Sequence, residues 1–130
     1  MKIFISIASY QDLLLPITIN SAYTNAKFKE NIRFGIVDQC NVRLDFSKAK
    51  IKDQITYLHI EPKNARGPCW ARSLAQTLMN DEEYFLQVDS HTTFEKDWDE
   101  YLIKYIKTIK KDHKKPVISA YPRGFEIVDF

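Results

Sequence analysis

Cysteine is scarce in this chain: Cys40 and Cys69 stand far apart, and no second pair lies at ligand spacing. That excludes a zinc framework and a disulfide-rich secreted domain, and leaves two free thiols. No apolar run approaches the roughly eighteen residues that cross a bilayer. The amino-terminal "MKIFISIASYQD" has one lysine and a short apolar run that meets Tyr10, Gln11 and Asp12 without a cleavage site, so it reads as a first strand rather than a leader. A soluble, cytoplasmic protein without a membrane span is expected. One sign of charge is not in excess either: 19 basic residues face 17 acidic ones, for a formal net charge of +2. A nucleic-acid-binding surface and a disordered tail are therefore not indicated. Repeats and low-complexity segments are missing as well.

What the chain does have is enough apolar residues, 45% of 130, for one compact domain spanning 1–130. Short apolar, β-branched runs occur at 3–8, 32–37, 55–60, 84–88 and 117–121. Several are near-continuous, as in strands covered on both faces. Helical periodicity lies between them. In "RGPCWARSLAQTLMND", Pro68 suits a first turn, and Trp70, Leu74 and Leu78 recur at four-residue steps with Ala71 and Ala75 beside them. In "DWDEYLIKYIKTIKKDHKKP", Trp98, Leu102, Tyr105, Ile106 and Ile109 form a stripe, Asp97 is a candidate cap, and acids precede lysines along the helix dipole. Lys104, Lys107, Lys110 and Lys111 fit a solvated outer face. A third helix is expected over 16–27, and 40–54 reads as a loop or a poorly formed helix.

Strand alternating with helix predicts an α/β fold, a mostly parallel central sheet with helices on both faces. Ligands of such sheets gather at the carboxyl ends of the strands. Polar residues follow each apolar run: Ser9, Tyr10, Gln11 and Asp12; Asp38 and Gln39; Glu61 to Arg66; Asp89, Ser90 and His91; Pro122, Arg123 and Gly124.

Asp89 and His91 in "FLQVDSHTTF" are two apart in an extended segment, so they share a side with Cα atoms roughly 6.5 Å apart. A carboxylate and an imidazole so placed can meet on one borderline divalent ion such as manganese, although Asp-x-His alone also describes a polar turn. In "NARGPCWAR", Arg66 stands at a helix amino terminus and Arg72 one to two turns in. Unpaired N–H groups and a guanidinium there suit phosphate oxygens, while a surface or salt-bridged arginine is the plainer reading. Tyr10 could stack on a planar base and Asp38 could accept an imide N–H, or they pack and cap.

The blocks "IFISIASYQD", "RFGIVDQC", "ARGPCWARSLAQ", "YFLQVDSH" and "PVISAYPRGF" resemble, in order and spacing, the glycosyltransferases related to the cytoplasmic hydroxyproline N-acetylglucosaminyltransferase, glycosyltransferase family 60. The mucin-type polypeptide N-acetylgalactosaminyltransferases, with an Asp-Ser-His triplet, are a more distant likeness. The resemblance implies a GT-A fold and a UDP-sugar donor, UDP-GlcNAc first. It implies Mn2+ or Mg2+ held by Asp89 and His91, uridine contacts from Tyr10 and Asp38, diphosphate or sugar contacts from Arg66 and Arg72, and a place for Ser9 and Asp89 among the donor-binding residues. It also implies retention of anomeric configuration, with no dedicated base assigned and a protein or glycan hydroxyl as acceptor. The family has arginine where this chain has Gln11. Members continue beyond the fifth strand into an acceptor-binding half and a last metal ligand, so the chain is expected to be the nucleotide-sugar-binding part of a longer domain. Two other readings use the same rim: a metal-dependent nucleotidyl- or phosphotransferase, and a non-catalytic module that binds a nucleotide or a protein.

Overall fold

The computed structural model describes residues 1–126. Four parallel strands, β1 (Ile3–Tyr10), β2 (Ile32–Gln39), β3 (Ile55–Ile60) and β4 (Tyr84–Asp89), form one sheet in the order β3-β2-β1-β4. Three helices alternate with them: α1 (Leu15–Asn25), α2 (Pro68–Gln76) and α3 (Trp98–Lys110).

The central strand β1 is apolar on both faces because both are covered. Ile3, Ile5 and Ile7 join Phe34 and Ile36 of β2 under α1, Trp98 of α3 and Leu44, Phe46 and Ile51 of the 40–54 segment. On the other face Val37 packs against Ala71 and Ala75, with Ala8, Ile60, Trp70, Leu74 and Leu78 around them. Each large aliphatic or aromatic side chain so buried contributes about 1.5–3 kcal/mol. The small alanines let the α2 backbone lie close to the sheet, and the larger Trp70, Leu74 and Leu78 flank the contact.

Strand pairing runs further than the apolar runs do. Ser9 pairs with Asp38, Tyr10 with Gln39, and Ala8 with Asp89, so these rim residues are the last rungs of the ladder rather than loop residues. Backbone groups pair whatever side chains they carry. The expected fifth strand is not formed: 117–121 has no ladder partner among the described residues, and Val117 and Tyr121 are 89% and 100% exposed. A strand of this length holds only with a neighbour to bond and a face to bury. Pro122, Arg123 and Gly124, expected at the rim, therefore follow no strand. The 40–54 segment is a loop ending in a 3-10 turn at Lys52–Gln54.

Asp97 takes the N-cap position of α3 but in a left-handed conformation (φ 60°), without a side-chain cap bond. Its N–H instead donates to Asn25 O at 2.7 Å. The neighbouring Asp99, buried, accepts the backbone N–H groups of Lys27 (2.7 Å) and Phe28 (2.9 Å) and so ties the end of α1 to the start of α3. Of the expected α3 stripe only Trp98 is buried; Leu102 packs half-buried against the core beside Ile103, Ile106 and Ile109 are half-buried, and Tyr105 is exposed. Among the described residues no helix is long and apolar enough to cross a membrane.

Candidate functional site

Chain order reverses between β1 and β4: β2 and β3 extend the sheet on one side of β1, then α2 carries the chain back to the other. In open parallel sheets ligands bind in the crevice outside the carboxyl ends of the strands at such a switch point. Asp12, just beyond β1, and Ser90 and His91, just beyond β4, meet across it.

The Asp12 carboxylate, 18% exposed, holds the two strand exits together. Its Oδ1 accepts the backbone N–H of Leu14 at 2.9 Å, an Asx turn that leads into α1. Its Oδ2 accepts the Ser90 hydroxyl at 2.6 Å and stands 2.9 Å from His91 Nδ1. Burial works against the charge on Asp12, but the bonds from Ser90, the Leu14 N–H and His91 outweigh it and hold the carboxyl below its usual range. Thr18 of α1, buried, fastens the same loop: its hydroxyl donates to Ser90 O (2.7 Å) and accepts the Thr92 N–H (2.9 Å).

His91 is thus gripped on one edge, while its Nε2 faces Asp89 Oδ2 across 4.0 Å. The other oxygen of Asp89 accepts from Arg72 Nη2 at 3.2 Å. Asp89 and His91 do turn to the same side, and this gap is where a cation could sit. Among the described residues no three His, Cys, Asp or Glu side chains surround one point, so any further ligands would come from elsewhere. Histidine ligands ordinarily donate their second ring N–H to a carboxylate, and Asp12 stands in that relation to His91.

One strand over, Asp38 is buried at the end of β2. Its Oδ2 accepts the Tyr57 hydroxyl at 2.6 Å and lies 3.2 Å from Cys40 Sγ. Burial first, then the carboxylate, push the Tyr57 phenol well above its ordinary range, so it remains a donor. Asp38 Oδ1 has no hydrogen bond among the described residues. Ser9, its partner in register, is buried with its hydroxyl unpartnered among the described residues. Neither atom uses its hydrogen-bonding capacity within the described residues. Tyr10 ends β1 as an exposed residue, at 56% of its full surface. Arg66 is set apart: with Ile60, Lys63, Asn64, Ala65 and Trp70 it lines a shallow cleft beyond β3 and makes no ion pair with the Asp89 group.

Residues 42–129 match the family model described as "Glycosyltransferase (GlcNAc)". The chain belongs to this family. No curated protein matches the sequence significantly. Among solved structures, S. aureus TarS superimposes on 83% of the chain with a TM-score of 0.61 at 18% identity, and its fragment 1–349 on 83% with a TM-score of 0.63 at 20% identity. The likeness is one of fold, the parallel α/β arrangement expected from the sequence. The matched region is 20% of the first chain and 33% of the second, so this member of the GlcNAc glycosyltransferase family spans a fifth to a third of their length.

Three residues of this candidate site were not assigned a role from sequence: Asp12, Thr18 and Tyr57. Asp12 carried a local signal, an acid three residues ahead of a helix start with Pro16 in its first turn. Its contact with a histidine 79 residues away is visible only once the strand order is known.

Proposed function

We propose that the chain is the donor-binding part of a metal-dependent, retaining glycosyltransferase that takes a UDP-sugar, UDP-GlcNAc first, as its hydroxyproline-directed resemblance suggests. The acceptor is a protein or glycan hydroxyl. Family membership supports glycosyl transfer as the reaction class and weighs against the phosphotransferase and non-catalytic readings. The observation that carries the site is the convergence of Asp89, His91 and Arg72 at the switch point.

In this reading Asp89 and His91 hold Mn2+ or Mg2+. When bound, the ion neutralises the diphosphate and stabilises it as a leaving group. Arg72, already beside Asp89, donates to diphosphate oxygens in planar, directional fashion, whereas Arg66, set apart in its cleft beyond β3, is left out of that contact. Asp38 Oδ1 accepts the imide N–H of uracil while Tyr57 keeps the carboxylate oriented, the Ser9 hydroxyl bonds within the same pocket, and Tyr10 stacks on the base. No side chain of the chain is assigned as a general base.

Differential scanning fluorimetry tests the site. UDP with MnCl2 should raise the melting temperature of the wild-type chain, and His91→Ala should abolish the rise. An undiminished rise in the variant refutes the metal assignment; a rise with ATP equal to that with UDP refutes the uridine assignment.

A further inference from the structure

We propose that Asp12 is a positioning residue that selects the His91 tautomer able to bind a metal ion. The inference rests on the reading of Asp89 and His91 as a cation-holding pair, and the experiment below separates the two.

A carboxylate only accepts hydrogen bonds. With Asp12 Oδ2 at 2.9 Å from His91 Nδ1, the imidazole proton must sit on Nδ1, and a neutral ring then has a bare lone pair at Nε2. That nitrogen faces Asp89 Oδ2 at 4.0 Å, too far for a hydrogen bond and open on the side of the gap.

Asp12 does not owe its orientation to His91. The backbone N–H of Leu14, which can only donate, holds Oδ1, and the buried Ser90 hydroxyl holds Oδ2. Thr18 fixes the loop that carries Ser90 and Thr92. The tautomer is therefore set by the fold before any ligand arrives.

This arrangement makes Asp12→Asn an informative change of nearly constant shape. The Leu14 N–H must keep the amide oxygen, so the amide NH2 takes the place of Oδ2 and donates to Nδ1. The imidazole proton is then driven to Nε2, where an N–H points into the gap and cannot ligate. An acid-to-amide exchange beside a histidine can be costly for this reason alone.

The test uses the 15N-labelled, metal-free 130-residue chain at about pH 8.5, above the ordinary histidine range. Long-range 1H–15N correlation of the imidazoles, assigned with His91→Gln, is paired with Mn2+ titration followed by water-proton relaxation. Wild type should show protonated Nδ1 on His91, and Asp12→Asn should show protonated Nε2 and a Mn2+ affinity about 10–100-fold weaker. Ser90→Ala, which leaves the acceptor in place, should keep the wild-type tautomer. A wild-type ring protonated at Nε2 overturns the proposal even if Asp12→Asn does not fold. So does an Asp12→Asn variant with an unflipped ring, or with a flipped ring and unchanged Mn2+ affinity. A ring that flips as expected in a chain whose wild type binds no Mn2+ upholds Asp12 as the selector and defeats the cation pair instead.

Discussion

Tyr57 donates its hydroxyl to Asp38 Oδ2 at 2.6 Å from the neighbouring strand, and the same phenolic oxygen accepts the Leu44 N–H at 3.0 Å. One side chain thus pins both a buried carboxylate and the loop that follows β2. Tyr57→Phe leaves Asp38 with only a thiol donor, and the expected loss is about 1.5–3 kcal/mol in urea-unfolding stability, with weaker UDP binding by calorimetry. Loss below about 0.5 kcal/mol would show the bond to be incidental.

The same pair predicts an alkaline limb. Because the folded state raises the Tyr57 pKa, its contribution is whole below the unfolded value of about 10 and declines as pH rises beyond it. Wild-type stability should fall more steeply than that of Tyr57→Phe between about pH 10 and 12. Parallel curves would remove Tyr57 from the account.

Gly35 should not tolerate a side chain. A Cβ there would lie 2.1 Å from Phe4 Cζ and 2.6 Å from Cε2, and the Phe4 ring is itself buried and stacked on Phe85 at 5.9 Å. Gly35→Ala is expected to cost about 1–3 kcal/mol, and Phe4→Leu in the same chain should recover part of it. Additive costs would mean that the strain is relieved elsewhere.

Asp99 is expected to be the most sensitive acid of α3. Asp99→Ala strands two backbone N–H donors, those of Lys27 and Phe28, at an expected cost of about 3 kcal/mol. Asp99→Asn can still accept one of them and should lie between. Asp97→Ala removes no side-chain cap bond but puts alanine in a left-handed conformation that aspartate tolerates better, so its cost of about 1 kcal/mol should stay below that of Asp99→Ala.

The two thiols should separate by reactivity. Burial, and then the Asp38 carboxylate, push the Cys40 thiol upward, whereas Cys69 is exposed at the start of α2. Thiolate is the nucleophile, so iodoacetamide at about pH 8 should label Cys69 first and Cys40 only slowly in the folded chain. Equal rates by mass spectrometry would contradict the described environment of Cys40.

The four strands and three helices were legible because their patterning is strong: Ile3, Ile5 and Ile7 repeat at period two and Trp98, Leu102, Ile106 and Ile109 at helical period. Sequence also singled out Asp38, Asp89 and His91, because acids and imidazoles at the ends of apolar runs are conspicuous. It stopped the strands two residues early at Ser9 and Asp38, where polarity hides continued pairing. It read a strand into 117–121, whose apolar residues have no partner in the described structure. It also gave Asp97 the capping bond that Asp99 makes to different donors, because a cap depends on backbone angles that composition does not reveal.

Asp12 and His91 touch across 79 positions of the chain. During synthesis their meeting must wait until the β4 exit has left the ribosome and β4 has docked beside β1, among the most distant closures in this topology. A half-assembled molecule, however compact, would therefore carry both side chains and yet lack their contact, which makes the Asp12–His91 bond a direct gauge of completed folding.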